Sequence, residues 1–351
     1  MPSPTRRSFL VTSAGAVAAT RLRAQPASWR NYELTTRIEV LQPAGITRIW
    51  APLACDAPYQ RARANTFKAD AASARLVESA QDNLSFVSAE FPAGARPVLA
   101  VTSRVATRDW SADLQRPTHP TRPSDLAHFL RPTRLIPTDG IVHDTAAEIT
   151  RGASTPLARA RAIYDWIVDN TARNPKTRGC GLGDIRFMLE SRDLTGKCAD
   201  LNALYVGLAR AAGLPARDAY GIRIAPSQLG YKSLGTSSAT VTKAQHCRAE
   251  VWLDDFGWVP VDPADVRKVA LEEPPGNRRL DDDMVLRART RLFGSWEGNW
   301  LAFNFAHDVA LPGSKRAPVP FLMYPQAETA AGPVDSLDPD AFRYEITATA
   351  L

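Results

Sequence analysis

The order of hydrophobic periodicities along the chain constrains its fold more than any other feature. Between residues 28 and about 115, apolar and polar residues alternate with period two, and turn residues separate the runs. This alternation is typical of half-buried strands. Two segments with helical spacing follow, at 156–171 and from residue 198, and alternating runs return from residue 216. Strands grouped apart from helices predict an α+β fold with an N-terminal domain that resembles a β-sandwich.

The two helical segments carry residues that favour helix ends. Thr155 is a preferred N-cap residue, and Pro156 occupies the first helical position that follows it. The second helix is predicted to begin at Cys198 and to end at Gly213 and Pro215, a C-cap glycine followed by a helix breaker. Both helices are therefore expected to pack an apolar stripe against the core.

The first 25 residues differ from the rest of the chain. Arg6 and Arg7 precede an Ala-rich stretch that ends at Ala19, and Ala24 is a plausible cleavage position. This pattern resembles a twin-arginine export signal, which predicts a periplasmic or secreted protein; an ordinary N-terminal helix is the alternative. The stretch is too short to span a bilayer, and no later stretch resembles a membrane span, so no stable membrane insertion is expected.

The net charge gives no indication of a nucleic-acid partner. The formal charge is +6, but four arginines lie in the predicted signal, and the remainder has 39 basic against 37 acidic residues. These basic residues are scattered and form no stripe, so we expect no binding to nucleic acid.

The composition divides the chain into five predicted parts. Residues 1–25 are the export signal, 26–115 the N-terminal β domain, and 116–145 a linker rich in Pro and Arg. Residues 146–275 are expected to form the core that carries the chemistry, and 276–351 a β-rich C-terminal extension packed on that core. In this extension we expect strands around 296–305, 321–324 and 342–350.

Cys198 is the candidate nucleophile. Only a thiolate attacks efficiently, and an ordinary thiol pKa of about 8.5 leaves little thiolate at neutral pH. The N-terminus of a helix supplies partial positive charge and free N–H groups, which favour the anion and can stabilise an oxyanion. A small apolar residue at a helix start is the alternative interpretation.

His246 and Asp262 are the candidate base and orienting acid. Gln245–Leu253 alternates as a strand, so His246 shares a face with Arg248 and Cys247 points to the other face. This parity excludes a zinc site built from both residues together with Cys198. An acid on the neighbouring strand can hold an imidazole in the correct tautomer, although Asp262 before a proline is also a common start of a turn.

Three segments together resemble the transglutaminase-like superfamily. They are Gly196-Lys197-Cys198-Ala199-Asp200, the strand that begins at His246, and Phe256-Gly257-Trp258-Val259-Pro260-Val261-Asp262-Pro263. The resemblance covers about residues 150–270, and the tail is similar to that of bacterial secreted members. It implies a papain-like core in which a Cys-bearing helix packs on an antiparallel sheet. It also implies Cys198 as nucleophile, His246 as general base and acid, and Asp262 as the acid that orients the imidazole.

The position of the acid presents a problem of register. If the hairpin turns on Asp255-Phe256-Gly257, Asp262 lies opposite Glu250 and roughly 13 Å from His246 at the rise of a strand. A β-bulge at Pro260 would close that gap. Without a bulge, Asp265 lies nearer, so it is kept as the alternative acid.

Two further assignments stay open. The family places a second oxyanion donor upstream of the cysteine, but no residue there matches decisively, and Asn174 and Gln245 are the candidates. Cys180 and Cys247 can form a disulfide in an oxidising compartment, and two buried thiols are the alternative. Cys55 is the fourth cysteine.

The predicted function is exported, cysteine-dependent acyl transfer on amide bonds of a peptide or protein through a thioester acyl-enzyme, with cell-wall peptides as one candidate substrate class. Hydrolysis is favoured over transfer to an amine. A catalytically silent binding or assembly module of the same fold is the alternative. The chemistry requires no cofactor or metal, and no acidic loop has the ligand spacing of a calcium site. The sequence does not indicate an oligomeric state.

Overall fold

The computed structural model describes residues 28–351. The predicted twin-arginine signal therefore lies outside the described residues. In the described part, no helix combines the length and the apolar character that crossing a membrane requires.

Strands account for most of the regular structure. Their bounds are Arg30–Val40 (β1), Thr47–Pro52 (β2), Gln60–Ala69 (β3), Ser73–Ser79 (β4), Leu84–Phe91 (β5), Val98–Thr107 (β6), Trp110–Ser111 (β7), Ala172–Arg173 (β8), Thr195–Gly196 (β9), Ala216–Arg223 (β10), Gln245–Leu253 (β11), Gly257–Val261 (β12), Ser295–Trp296 (β13), Trp300–Asn304 (β14), Gln326–Thr329 (β15), Gly332–Val334 (β16) and Phe342–Ala350 (β17).

Six α-helices are described. They are Ile141–Ile149 (α1), Pro156–Asn170 (α2), Ile185–Ser191 (α3), Cys198–Ala211 (α4), Pro263–Glu272 (α5) and Asp283–Arg291 (α6), and two short 3₁₀ helices occupy Leu126–Leu130 and Lys232–Leu234. The predicted N-cap is confirmed, because the Thr155 side chain accepts a hydrogen bond from the N–H of Ala158 at 3.1 Å.

Two antiparallel sheets form the N-terminal region. Their strand orders are β17-β1-β6-β3 and β16-β15-β2-β5-β4. The inner faces enclose one apolar cluster, to which Ile38 and Val101 contribute from the first sheet and Ile49 and Val87 from the second. The expected β-sandwich character follows from this shared core. Strands β15 and β17 complete the two sheets, so the C-terminal tail extends the N-terminal region as well as the core. The domain boundaries stay a prediction.

A third antiparallel sheet, β12-β11-β10-β14, carries the core. Helix α4 packs against it and is buried from Cys198 to Arg210, which goes beyond the single apolar stripe that the sequence predicts and includes polar residues such as Asp200 and Asn202. On another side of α4, Gly207 permits close packing against α3, because a Cβ at this position would meet the side chain of Ile185 at 2.1 Å. The predicted α+β architecture, with a Cys-bearing helix on an antiparallel sheet, is therefore confirmed.

Several local predictions are wrong. Residues 321–324 form no strand. Residues 174–194, whose glycines at 179, 181 and 183 favour a loop, contain α3. Helix α1 begins at Ile141, inside the segment predicted as a linker. Helix α5 was missed because Asp262 and Pro263 were interpreted as the start of a turn, although an N-cap carboxylate followed by proline is also a strong signal for a helix start.

Candidate active site

Cys198 is the first residue of α4, as predicted, and its side chain is 3% exposed. Its N–H is one of the donors that lack a partner within the helix. Asp200 fixes the approach to this helix end, because its carboxylate accepts the N–H groups of Lys197 at 2.9 Å and of Leu182 and Gly183 at 3.0 Å each. These bonds connect the loop at 179–183, which contains three glycines and is called the Gly-rich loop, to the start of the helix.

The Gly-rich loop brings Cys180 to the site. The N–H of Ala199 donates to the carbonyl of Cys180 at 2.9 Å. Gly181 has a positive φ of 95°, and a Cβ on it would lie 1.9 Å from a carboxylate oxygen of Asp200. Glycine is therefore required at this position on two counts, backbone conformation and space. The tight turn places the thiol of Cys180 beside that of Cys198.

The structure brings His246 and Asp262 together. His246 Nε2 lies 2.8 Å from Asp262 Oδ2, and both side chains are buried. Because Nε2 engages the carboxylate, Nδ1 is the ring nitrogen left to face the thiol of Cys198. The order thiol, imidazole, carboxylate is the one that a nucleophile, base and orienting acid require.

The predicted register of this hairpin is wrong. Leu253 pairs with Gly257, so the turn begins one residue earlier than expected, and Glu250 pairs with Pro260. Pairing is regular through Pro260, and the bulge predicted there does not exist. Asp262 therefore follows the strand across from Arg248 and reaches His246 without a distortion. Its other oxygen accepts the N–H of Asp265 at 3.0 Å and caps α5.

Asp265, the alternative acid, also lies near the imidazole. Its Oδ1 is 3.4 Å from His246 Nε2, but Arg223 holds both of its oxygens, at 2.6 and 2.8 Å. The distances favour Asp262 as the direct partner. Asp265 acts as the buried counterion of Arg223, whose guanidinium holds the pKa of this carboxyl well below its usual value, against the opposing effect of burial.

Asn202 adds a further restraint on the carboxylate. Its amide donates to the carbonyl of Cys247 at 2.8 Å and lies 3.3 Å from Asp262 Oδ1. On the other side, the indole N–H of Trp300 donates to the carbonyl of His246 at 2.8 Å. Both the acid and the strand that bears the imidazole are thereby held in place, as preorganised chemistry requires.

Electrostatics favour an ion pair between Cys198 and His246. Hydrogen bonding from Cys180, then from Cys247, lowers the pKa of the Cys198 thiol well below its ordinary value; burial opposes this, and His246 adds to the lowering. Burial and the charge of Arg223 oppose protonation of His246, but the carboxylates of Asp265 and Asp262 outweigh them and raise its pKa. A lowered thiol pKa and a raised imidazole pKa widen the pH range in which thiolate and imidazolium coexist.

The disulfide predicted between Cys180 and Cys247 is wrong, because both cysteines are free. Strand parity is confirmed, since Cys247 faces the cluster around α4. However, α4 begins over this face, so the thiols of Cys247 and Cys180 both adjoin that of Cys198. Alternation along β11 therefore does not keep Cys247 away from the nucleophile.

In the structure the thiol of Cys180 donates to the carbonyl of Gln245 at 3.4 Å. A neutral thiol next to a thiolate can donate a weak hydrogen bond to it instead. Each of the two neighbouring thiols has its own pKa raised: in Cys180 chiefly by the hydrogen bond to Cys198, in Cys247 chiefly by burial.

The structure separates the two candidates for the second oxyanion donor. The Nε2 of Gln245 is buried without a hydrogen-bond partner among the described residues, and Gln245 lines the same cleft as Cys198. Asn174 does not line this cleft; its side-chain oxygen accepts the N–H of Lys176 at 3.0 Å. The hydroxyl of Tyr344 lies near the Gln245 amide. An amide N–H₂ that lines the same cleft as the nucleophile can donate to a developing oxyanion.

His246, Asp262 and Asp265 are also the one group within residues 28–351 that has the spacing of a metal site, with potential ligand atoms within 4.8 Å of one another. Arg223 already engages both oxygens of Asp265, and Arg248 lies 3.7 Å from Asp262. Because two guanidinium groups already lie against these carboxylates, binding of a metal cation in addition is disfavoured. The donor set fits hydrogen bonding to imidazole better than metal ligation.

Two depressions meet at Cys180. A cleft of about 340 Å³ contains Cys198, His246 and Gln245. A groove of about 970 Å³ begins on the other side of Cys180, and the largely exposed side chains of Leu182 and Phe187 line it. The nucleophile is therefore reached from a surface that can hold an extended chain on at least one side.

Comparisons with known proteins agree with this geometry. Residues 143–263, which contain Cys198, His246 and Asp262, match the model of the transglutaminase-like superfamily. The chain is also 34% identical, over 340 residues and 91% of each chain, to an uncharacterized protein of Haemophilus influenzae. It therefore carries a transglutaminase-like domain and belongs to one family with that bacterial protein. A crystal structure from Cytophaga hutchinsonii, described as a proposed cysteine protease, is similar in fold, with a TM-score of 0.57, 15% identity, and coverage of 92% of this chain and 91% of that chain.

Sequence reasoning missed three parts of the site. Asp200 was recognised only as part of a motif, although its carboxylate binds N–H groups of the Gly-rich loop and of Lys197. Arg223 was not noticed, because nothing in the sequence relates it to an acid 42 residues away. Cys180 was assigned to a disulfide, although the three glycines at 179, 181 and 183 signalled a tight backbone approach to the helix start.

Proposed function

We propose that the protein is a cysteine-dependent amidase or peptidase that forms a thioester acyl-enzyme on Cys198. The observation that supports this most is the position of His246, which bonds the Asp262 carboxylate at 2.8 Å while its ring also meets the Cys198 thiol. The likeness in fold to a proposed cysteine protease agrees with this chemistry.

The proposed reaction has two halves. The Cys198 thiolate attacks the amide carbonyl, and the oxyanion is held by the N–H of Cys198 and the amide of Gln245. The imidazolium of His246 then protonates the leaving amine through Nδ1, while Asp262 keeps the ring oriented. In the second half, His246 takes a proton from the attacking water, the water oxygen forms the new bond to the acyl carbon, and the C–S bond breaks to restore the Cys198 thiolate and the His246 imidazolium.

We favour hydrolysis of a peptide over transfer to an amine. The groove beside Cys180 has a volume of about 970 Å³, which is large enough for several residues of a peptide, and its apolar side chains, Leu182 and Phe187, suit peptide side chains. Cell-wall peptides are one substrate class that agrees with the proposed export.

Peptide turnover tests the proposal. The protein is incubated with soluble cell-wall peptides and with glutamine-containing peptides, with and without an added alkylamine, and products are identified by mass spectrometry. We expect a mass gain of one water on cleavage, and no product with Cys198→Ala. A dominant amine adduct would contradict hydrolysis. No turnover by a folded protein, together with an unreactive Cys198, would favour the silent binding module.

Export is proposed on the twin-arginine pattern alone. Replacement of Arg6 and Arg7 by lysine in the full-length chain is expected to retain the protein in the cytoplasm, because that export route reads the arginine pair. Fractionation of cells that express both forms measures this. Equal export of both forms would contradict the assignment.

A further inference from the structure

The cleft around Cys198 has a one-sided charge. Its walls include five cationic side chains and no carboxylate. The cations come from different elements: Arg173, Lys197, Arg223, Lys243 and Lys268. Asp262 and Asp265 lie behind His246 and are 0–1% exposed, so they do not form part of the wall.

Some of these cations are already compensated. Arg223 is paired with Asp265 at 2.6 Å. Arg173 pairs with Glu272, and the same carboxylate lies 3.9 Å from the ammonium of Lys268, so one anion serves two cations. Lys197 and Lys243 have no ion pair within 4.0 Å among residues 28–351. The cleft therefore carries excess positive charge.

A small polar cleft with excess cations concentrates anions, because its protein walls focus the field. Burial, with help from Arg223, lowers the pKa of Lys268 to about 8, so this ammonium would be stabilised by a bound anion. A neutral amide substrate offers nothing that matches these groups. The volume of about 340 Å³ holds one or two residues, while the larger groove on the other side of Cys180 can hold the remaining peptide.

We propose that this cleft recognises a carboxylate that lies within about one residue of the scissile amide, and that Lys197, Lys243 and Lys268 are its recognition groups. This deepens the proposed function and rests on it. The carboxylate belongs either to an acidic side chain or to the terminus of a short peptide. Both present the same planar anion, and the protein distinguishes them only by position.

Two alkylating reagents test the charge without knowledge of the substrate. Iodoacetate and iodoacetamide have nearly the same size and react with the same thiolate, but only iodoacetate is anionic. The ratio of the iodoacetate rate to the iodoacetamide rate at Cys198 therefore does not depend on the thiolate fraction. We expect this ratio to exceed that of free cysteine by on the order of tenfold at low salt and to fall as salt rises.

The variants locate the effect. The double variant Lys197→Gln/Lys243→Gln should bring the ratio most of the way to that of free cysteine. A matched control, Lys68→Gln/Lys315→Gln, removes the same charge at exposed positions outside the cleft and should leave the ratio unchanged. A wild-type ratio equal to that of free cysteine would overturn the proposal. So would a raised ratio that the double variant retains.

Protection by peptides separates the two sources of the carboxylate. N-acetyl-Ala-Glu-amide carries a side-chain anion, N-acetyl-Ala-Gln carries a terminal anion, and N-acetyl-Ala-Gln-amide carries none. We expect one of the anionic peptides, but not the neutral one, to slow the reaction of Cys198 with iodoacetamide. Equal protection by all three would contradict an anion site.

Failure of the proposed function gives a different result. If iodoacetamide does not react selectively with Cys198, the nucleophile assignment fails, and the cleft is then assessed by thermal unfolding in glutarate and in glutaramide. Stabilisation by glutarate alone, lost in the Lys197→Gln/Lys243→Gln variant, would support the anion site. Equal midpoints in both compounds would overturn it.

Discussion

Asp262→Asn and Asp265→Asn remove the same charge from one buried cluster, and we expect them to fail in different ways. Asp262 Oδ2 lies 2.8 Å from His246 Nε2, whereas Asp265 Oδ1 lies 3.4 Å from the same nitrogen and both oxygens of Asp265 accept hydrogen bonds from Arg223. The first change therefore acts on the imidazole, and the second mainly on a buried guanidinium.

The contacts set the magnitudes. A hydrogen bond to a charged group contributes about 1.5–3 kcal/mol, so Asp262→Asn should lower peptide turnover by roughly 10- to 150-fold at 1.4 kcal/mol per tenfold. Removing one partner of a buried ion pair costs about 3–5 kcal/mol. Asp265→Asn leaves Arg223 without its counterion, so it should lower the free energy of unfolding by that order, with a smaller direct effect on His246.

The pH dependence gives the sharpest distinction. Asp262 is among the groups that raise the pKa of His246. Without it, imidazolium is lost at lower pH, so the alkaline limb of turnover shifts to lower pH. The thiolate also loses part of its cationic partner, so the acid limb of alkylation at Cys198 shifts to higher pH, by roughly one unit for each 1.4 kcal/mol.

The assay is the iodoacetamide rate at Cys198 from pH 4 to 9, with thermal unfolding measured on the same samples. We expect a shifted acid limb for Asp262→Asn, and a larger loss in the unfolding midpoint for Asp265→Asn than for Asp262→Asn, because only Asp265 binds a guanidinium with both oxygens. A limb that shifts only in Asp265→Asn would refute the assignment of Asp262 as the orienting acid.

Three further outcomes are expected. Gly181→Ala should destabilise the protein and slow alkylation of Cys198, because a Cβ there meets a carboxylate oxygen at 1.9 Å. Gly152 is the matched control, since its φ of 83° is similar and nothing lies within 4 Å of a Cβ there; Gly152→Ala should lower the free energy of unfolding by only about 1 kcal/mol. Equal unfolding midpoints for the two variants would contradict the steric argument. Burial raises the pKa of Asp218 to about 7, so the folded state retains a proton that the unfolded chain releases near pH 4, and this group lowers stability by roughly 1.4 kcal/mol per pH unit between these values. In denaturant titrations, Asp218→Asn should make the slope of stability against pH less negative by that amount, and an unchanged slope would exclude this contribution. Thiol titration of the denatured protein should find four free thiols, and a count of two would restore the disulfide. In Cys180→Ala, the acid limb of the alkylation rate at Cys198 should move to higher pH, because the largest influence that lowers the pKa of Cys198 is lost.

Local signals in the sequence predicted the frame of the site well. Thr155 with Pro156, and the apolar stripe after Cys198, mark two helices whose start positions the structure confirms. The strand that begins at Gln245 was recognised from its alternation. These features depend on neighbouring residues alone, so periodicity and capping chemistry suffice to predict them.

Features that depend on distant residues were not predictable in the same way. A shift of one residue in the turn before Gly257 moved Asp262 two positions along the partner strand, because each strand position has a fixed opposite residue. The pairing of Arg223 with Asp265 and the joining of β17 to β1 connect segments far apart in sequence. Neither leaves a local pattern that could be recognised.

Alkylation of the four cysteines tests the central claim most directly. The native protein is treated with limiting iodoacetamide at neutral pH, and each cysteine is quantified by peptide mass spectrometry, in the wild type and in His246→Ala. We expect Cys198 to react far faster than Cys55, Cys180 and Cys247, and His246→Ala to reduce this preference, because His246 is one of the groups that lower the pKa of Cys198. Slow and equal labelling of all four cysteines in the wild type, or a preference for Cys198 that is unchanged in His246→Ala, would contradict the assignment.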